Sequence, residues 1–320
     1  MKKILITGVA GMIGSNLLEY KLNLKCKIYG IDNFSNGYKK NIKLFLKNKN
    51  FKFFKKDLSK VNVKDNFLSN FSKVIFDEIW LLSANSDINH GNKDYLVDTK
   101  DTLVSVVNTI KIFKKNISKK TKIIFTSSSA IYGYQKNKIS EKIINFDPES
   151  NYGCMKLACE NFLFFARKRI NFKLYIFRLP NVVGKNLTHG ILFDFKKKIQ
   201  NNYKKYLKVL GNGYQKKPYI SCNYLIKIIH NVLKKNIKNN VNIFNIGPDD
   251  NGIYVKDIAK LFLKYTQTNK KIVFEKKKTG WLGDVVYYSY NNRKLKKIIQ
   301  NYAETSSNAI KDAIKEMNDY

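Results

Sequence analysis

Proline, cysteine, histidine, tryptophan and arginine are all scarce in this chain of 320 residues, and each scarcity excludes something. Only four prolines occur, at Pro148, Pro180, Pro218 and Pro248, so there is no Pro-rich linker or polyproline recognition segment. Four cysteines (Cys26, Cys154, Cys159, Cys222) form no CxxC pair and no regular framework. That excludes a disulfide scaffold and points to free thiols in a reducing, cytoplasmic setting, with Cys154 and Cys159 expected to be buried packing. Three histidines, His90, His189 and His230, lack ligand spacing, so no metal is expected. No window approaches ~18 unbroken apolar residues, which excludes a membrane-spanning helix. The run Met1 to Gly8 carries two lysines but too short an apolar stretch for a signal peptide.

The arginine shortage bears on the charge. Sixty basic residues face 24 acidic ones, for a net charge of +36. Only Arg167, Arg169, Arg178 and Arg293 are arginines, whereas nucleic-acid interfaces lean on arginine for bidentate contacts. The lysines are scattered, and a bias toward Lys, Asn and Ile accounts for the excess. No nucleic-acid partner is expected. The surface field would favour anionic substrates and acidic partners. With 44% hydrophobic residues, 20 tyrosines and 21 phenylalanines, the chain has ample material for a core.

What is present alternates. Strand patterns occupy Lys3 to Thr7, Lys27 to Ile31 (ending at Asp32), Phe51 to Phe54, Glu78 to Leu82, Lys122 to Ser127 and Leu174 to Phe177. Helical spacing occupies Met12 to about Tyr20, Tyr95 to about Lys115 and Gly153 to Arg169. This alternation argues an α/β fold with a parallel, doubly wound sheet. After Arg178 the pattern loosens, with helices near Ile191–Lys205, Asn223–Lys234 and Lys256–Thr266 and a strand, Val241 to Ile246, returning to the sheet. Residues 1–177 thus read as a nucleotide-binding domain and 178–320 as a smaller, mainly substrate-binding lobe.

The first strand runs into Thr7-Gly8-Val9-Ala10-Gly11-Met12-Ile13-Gly14, and a helix follows. Glycines in that context permit a tight turn, close approach of backbone to a pyrophosphate, and close helix–strand packing; the helix N-terminus then offers N–H groups to the anion. Asp32, 18 residues after Gly14, can accept hydrogen bonds from a ribose 2′-hydroxyl and would repel a 2′-phosphate. No arginine follows in Asn33 to Gly37, which favours NAD over NADP. Asp57-Leu58, closing the third strand, is placed to contact the adenine region.

The fifth strand ends in Thr126-Ser127-Ser128-Ser129-Ala130-Ile131-Tyr132-Gly133, and Tyr152 follows Ser128 by 24 residues. Tyr152 and Lys156, at i and i+4, share one helical face. A neighbouring cation favours the phenolate of a tyrosine, whose unperturbed pKa is about 10. Such a tyrosine can take a proton from a substrate hydroxyl while hydride leaves the same carbon. A serine hydroxyl can hold the substrate oxygen.

In order and spacing these segments resemble the extended short-chain dehydrogenase/reductases of the NAD-dependent nucleotide-sugar epimerase/dehydratase family, a Rossmann-fold family. Arg178 to Gly184, Leu210 to Gln215, Asn245-Ile246-Gly247 and Gly280-Trp281-Leu282-Gly283-Asp284-Val285 extend the resemblance over essentially the whole chain. Thr188-His189-Gly190 points to the compact archaeal-type UDP-glucose 4-epimerases.

The resemblance implies that Tyr152 is the general base and Lys156 its partner, which also holds the nicotinamide ribose. It implies that Ser128, helped by Ser129, bonds the reacting hydroxyl, that Asn181 meets the sugar diphosphate, and that Lys217 stands where relatives carry arginine for the nucleotide. Leu82-Ser83-Ala84 and Pro180 would line the cofactor, and Gly8, Gly11, Met12, Ile13, Gly14, Asp32, Asn33, Asp57 and Leu58 would hold the rest of NAD. A homodimer through helices near residues 95–115 and 153–169 is implied too. There are departures. Pro218 and Tyr224 replace acidic positions, Asp98 replaces an asparagine, Leu81 stands where many relatives have histidine, and no arginine precedes Gly283-Asp284-Val285.

A 4,6-dehydratase of this family would carry an Asp-Glu pair where Ser129-Ala130 stands, and a decarboxylase a glutamate. A 3,5-epimerase of this family needs a further Cys/His or Cys/Lys acid–base pair; Cys154 and His189 could be paired for it, but His189 reads more simply as a loop hydrogen-bonding residue. What remains is a 4-epimerase working by transient oxidation at C4 of a nucleotide sugar. The alternatives are a 4-dehydrogenase that releases the keto sugar and, more remotely, a non-catalytic NAD- or RNA-binding protein on the same fold.

Overall fold

Buried apolar runs become strands and the intervening periodic segments become helices. The computed structural model describes residues 1–200, 205–280 and 284–318. In chain order the elements are β1 (Lys3–Thr7), α1 (Met12–Asn23), β2 (Lys27–Asp32), β3 (Phe51–Lys55), β4 (Glu78–Leu81), α2 (Ile88–Lys93), α3 (Tyr95–Asp98), α4 (Ser105–Ile112), β5 (Lys122–Ser128), α5 (Asn151–Arg169), β6 (Lys173–Leu179) and β7 (Asn181–Val183). Then come α6 (Ile191–Gln200), β8 (Tyr206–Val209), β9 (Lys216–Lys217), β10 (Tyr219–Ser221), α7 (Cys222–Lys234), β11 (Val241–Asn245), β12 (Ile253–Tyr254), α8 (Val255–Tyr265), β13 (Lys271–Phe274), α9 (Arg293–Lys296) and α10 (Ser306–Asn318).

The chain divides into two compact units. The first comprises Met1–Ser128, Asn151–Arg178 and Asn236–Phe244; the second comprises Ser129–Ser150, Leu179–Lys235 and Asn245–Tyr320. The division is interleaved rather than a single cut near residue 178, because the segment between β5 and α5 groups with the second unit.

The first unit is built on a seven-stranded parallel sheet ordered β11-β6-β5-β4-β1-β2-β3. β1 pairs with β2 through Ile4↔Ile28 and with β4 through Ile4↔Glu78, so the strand order reverses between β1 and β4. In a doubly wound sheet ligands bind outside the carboxyl ends of the strands at such a reversal. The Gly8 loop follows β1, Asp32 ends β2, Leu82 follows β4 and Ser128 ends β5, so all four gather at that end. The core beneath holds Leu5, Ile31, Ile79, Ile123, Leu163 and Ile176. Its aromatic centre is Phe71, whose ring lies 5.0 Å from both Phe54 and Phe113.

Two helices differ from the sequence pattern. The segment expected as one helix from Tyr95 to Lys115 is α3, a π-helical turn at Thr99–Val104, then α4 and a 3-10 turn at Lys114–Asn116. The π turn inserts one residue; Ser105 Oγ donates to Lys100 O at 3.2 Å and the buried Thr102 hydroxyl has no hydrogen-bond partner. The helix expected from Gly153 begins at Asn151, so Tyr152 lies within its first turn. The last part of the helix expected to reach Lys205 falls on residues 201–204, outside the described residues. The second unit packs Leu192, Phe195, Ile258, Phe262, Ile310 and Ile314 around short sheets: β7 with β10, β8 with β13, and β9 with β12.

Candidate functional site

The glycine loop has the shape the spacing predicts. Gly8 has φ +70°, and a Cβ there would stand 2.9 Å from the Leu82 carbonyl carbon and the Ser83 nitrogen. A Cβ on Gly14 would overlap the Gly8 carbonyl oxygen. A Cβ on Gly11 would meet only Gly8 O, at 3.4 Å, so this middle glycine faces open space. Gly11 is the N-cap of α1 and offers no capping side chain to the N–H groups of the first turn. Met12 and Gly14 are buried and Ile13 half-buried as that turn packs down. An uncapped helix N-terminus below an open glycine cradle suits an anion such as a pyrophosphate.

Asp32 is buried at the end of β2. Its Oδ2 accepts the Ala10 N–H at 2.9 Å and its Oδ1 the Phe34 N–H at 2.7 Å. Burial pushes its pKa up, and these two backbone hydrogen bonds oppose that. Each carboxylate oxygen keeps a further lone pair for a ribose hydroxyl. Asp57 accepts from Ser59 N–H and Oγ at 3.0 and 2.7 Å; those bonds, Lys60 and Asn33 outweigh burial and hold its carboxyl below the usual range. Asn33 Oδ1 accepts the Ser35 N–H at 2.9 Å, and Leu58, itself buried, gives its carbonyl to Asn108 Nδ2 at 2.9 Å. The sequence did not single out Thr7, yet its buried hydroxyl accepts the Leu82 and Ser83 N–H groups at 3.2 and 3.3 Å. It thereby pins the Leu82-Ser83-Ala84 segment against the loop. A threonine at the last position of β1 was the available signal. The residues present fit a bound dinucleotide.

Ser128, Tyr152 and Lys156 all belong to the first unit. Lys156 is buried, and its ammonium donates to Thr126 O at 2.8 Å, tying α5 to β5 two residues before Ser128. The same ammonium lies 5.5 Å from the centroid of the half-buried Tyr152 ring and 4.9 Å from that of Phe125. Burial pulls its pKa down to about 8, against the upward pull of Cys159, Asp98 and Glu160. A cation held this way has its charge available to the phenol beside it. On α5 the Glu160 carboxylate receives the buried Arg178 guanidinium of β6, Nε at 3.0 Å and Nη2 at 2.7 Å, which fixes the helix to the sheet. Cys159 is buried as expected, its thiol pushed up to about 12 by burial. Cys154 is exposed, a correction: the residue after Gly153 points away from the core because α5 turns its other face to the sheet.

Ser129, Pro180, Asn181 and Lys217 belong to the second unit. Asn181 Nδ2 donates to Pro218 O at 3.2 Å and to the hydroxyl of Tyr288 at 3.1 Å, and Ser129 also bonds Tyr288. Tyr288 is therefore a shared neighbour of Asn181 and Ser129 that the sequence did not mark. Pro180 is buried just before β7. Lys217 is buried and its ammonium is bonded to the Asp284 carboxylate. Trp281, Leu282 and Gly283 of the same motif lie outside the described residues. His189 Nδ1 lies 3.1 Å from Thr188 Oγ1, the loop hydrogen bond expected of it. Among the described residues no group of His, Cys, Asp and Glu could hold a metal, and no helix is long and apolar enough to cross a membrane.

Comparison with known proteins bears on the fold and family. An uncharacterised UDP-glucose epimerase of Bacillus subtilis (strain 168) is 29% identical over 239 residues, 73% of each chain. A protein described as a putative UDP-glucose 4-epimerase in Methanocaldococcus jannaschii is 24% identical over 89% of this chain and 85% of its own. Among solved structures, the UDP-glucose 4-epimerase of Thermotoga maritima with UDP-glucose superposes with a TM-score of 0.84 at 21% identity, covering 99% of both chains. The UDP-glucuronic acid 4-epimerase of Bacillus cereus, in complex with UDP-glucuronic acid and NAD, gives 0.83 at 22% identity, again over 99% of both chains. At such identities the structures establish a shared fold. Residues 4–247, three quarters of the chain, match the family described as NAD dependent epimerase/dehydratase. The chain belongs to the NAD-dependent epimerase/dehydratase family, and NAD is its cofactor.

Proposed function

We propose that this protein is a nucleotide-sugar 4-epimerase, with UDP-glucose or UDP-N-acetylglucosamine as its kind of substrate. The observation that carries the reading is the buried Lys156 ammonium, tied to Thr126 O of β5, 5.5 Å from the Tyr152 ring on α5. The names of the relatives support it, since several are described as UDP-sugar 4-epimerases. In this reading Gly8, Gly11, Met12, Ile13 and Gly14 hold the pyrophosphate. Asp32, Asn33, Asp57 and Leu58 hold the adenosine end, while Leu82, Ser83, Ala84 and Pro180 line the remainder. The chemistry supplied by bound NAD is the uptake and return of a hydride.

Tyr152 takes the C4 hydroxyl proton onto its phenolate oxygen and later gives it back. Lys156 keeps that phenolate accessible by its charge. Ser128 holds the sugar oxygen, with Ser129 beside it in sequence, and Asn181 and Lys217 take the diphosphate and nucleotide. Because Ser128-Ser129-Ala130 offers no acid for a leaving hydroxyl, elimination is disfavoured, and inversion at C4 is preferred over release of the keto sugar. We further read the chain as a homodimer through the helices near residues 95–115 and 153–169; the exposure of Tyr95, Leu96 and Phe165 supports this. A cytoplasmic location fits four free thiols.

The test incubates the NAD-loaded protein with UDP-glucose or UDP-N-acetylglucosamine and follows the C4 proton by NMR. Interconversion with the C4 epimer is expected. A ketone accompanied by reduced cofactor would establish the dehydrogenase alternative instead. Absence of turnover together with salt-sensitive RNA binding would establish the non-catalytic one.

A further inference from the structure

We propose that Asp98 is a positioning residue for the Tyr152–Lys156 pair, its carboxylate bracing the first residue of α5 and keeping Lys156 charged. This rests on the roles given above to Tyr152 and Lys156. Asp98 closes α3 and is fully buried. Its Oδ1 accepts from Asn85 Nδ2 at 2.8 Å and its Oδ2 from Asn151 Nδ2 at 3.0 Å. Neither amide is free to turn round. Asn85 Nδ2 also donates to Asp87 O at 2.9 Å while its Oδ1 accepts the Asp87 N–H at 3.2 Å. Asn151 Nδ2 also donates to Tyr95 O at 3.1 Å. Two N–H donors thus face Asp98, and an ionised carboxylate, which only accepts, satisfies both, whereas an amide would turn its own N–H group on one of them.

The brace reaches the site from two sides. Asn85 follows the Leu82-Ser83-Ala84 segment, and Asn151 precedes Tyr152. Gly91 makes room, since a Cβ there would overlap the Asp98 carboxylate.

The charges around the pair are few. Burial pushes the Asp98 carboxyl up; the Asn85 and Asn151 hydrogen bonds, Lys156 and His90 pull it back, and Asp101 stands near enough to oppose them. Cys159, Asp98 and Glu160 face Lys156. Glu160 is already joined to Arg178 through both oxygens, whereas the hydrogen-bond donors on Asp98 are neutral amides. Asp98 is accordingly the carboxylate whose charge is left for Lys156. Burial pulls the Lys156 ammonium down to about 8, and loss of Asp98 would pull it lower.

Asp98→Asn tests this without relying on turnover. A lysine whose folded pKa is depressed costs stability below that pKa and regains it as pH rises toward the unfolded value. The melting temperature of D98N should therefore fall furthest below wild type at pH values under the lowered Lys156 pKa, and the gap should narrow as pH rises through that value and be nearly closed above about 8. In turnover, the alkaline limb of kcat should move to lower pH and kcat should drop about tenfold, a limb shift of the kind reported by group pKa values. A gap that stays constant with pH, or a limb that does not move, would reduce Asp98 to a structural brace and overturn the proposal.

Should D98N not fold, Asn85→Ala removes one donor and keeps the charge. Its melting deficit should shrink as pH falls and Asp98 protonates, and a pH-independent deficit overturns the proposal equally. If wild type turned over no nucleotide sugar, the functional reading would fail while the melting comparison still decided this one.

Discussion

In the proposed chemistry Tyr152 depends on where Lys156 is held, and Lys156 is held by Thr126 O, by burial and by the carboxylates around it. Tyr152→Phe removes the proton acceptor and leaves the packing. Turnover should fall by about 10²- to 10⁴-fold, the usual worth of a positioned general base, with NAD retained on gel filtration. A variant that keeps wild-type kcat would remove Tyr152 from the mechanism. Asp32 acts at the other end of the cofactor. Asp32→Asn keeps the shape but turns an N–H toward either Ala10 or Phe34, whose N–H groups it now accepts. NAD affinity should weaken by about 1.5–3 kcal/mol, the range for hydrogen bonds to a charged group, measured by calorimetry. Undiminished affinity would mean that Asp32 serves the turn alone.

At the scale of elements, α5 is the part that must not move. Arg178 and Glu160 clamp it to β6 with two hydrogen bonds in a setting where both side chains are at most 4% exposed. Glu160→Gln leaves the guanidinium buried without its counter-charge and should destabilise the first unit by about 3–5 kcal/mol in urea. A loss below ~1 kcal/mol would show that the clamp is dispensable.

The seven strands of the large sheet and α5 were legible in the sequence because apolar runs, the glycine loop and the Tyr–Lys spacing are local signals, whereas the short strands β7, β8, β9, β10, β12 and β13 of the second unit left no such pattern. The π turn at Thr99–Val104 was not, since a one-residue insertion leaves the apolar spacing of Leu103, Val106 and Ile110 almost unchanged. The partners of Asp98 and Asn181 were equally hidden. Asn85, Asn151 and Tyr288 are ordinary polar residues whose roles arise from contacts between distant segments. Cys154 was misplaced because the sequence does not show which way a helix with apolar residues on several sides is rotated.

The whole molecule carries a net charge of +36 and binds, in this account, two anionic molecules. Its field should raise their encounter rate, and salt should screen it. KM for a nucleotide sugar should rise roughly several-fold between low and about 0.5 M salt with kcat little changed. A salt-independent KM would leave the lysine excess a matter of composition only.

The most direct test of 4-epimerisation uses UDP-glucose deuterated at C4. If hydride leaves and returns within one site, the epimeric product keeps deuterium at C4 and the bound cofactor ends oxidised. Deuterium appearing on released, reduced cofactor beside a 4-keto sugar, or product carrying solvent hydrogen at C4, would contradict the account.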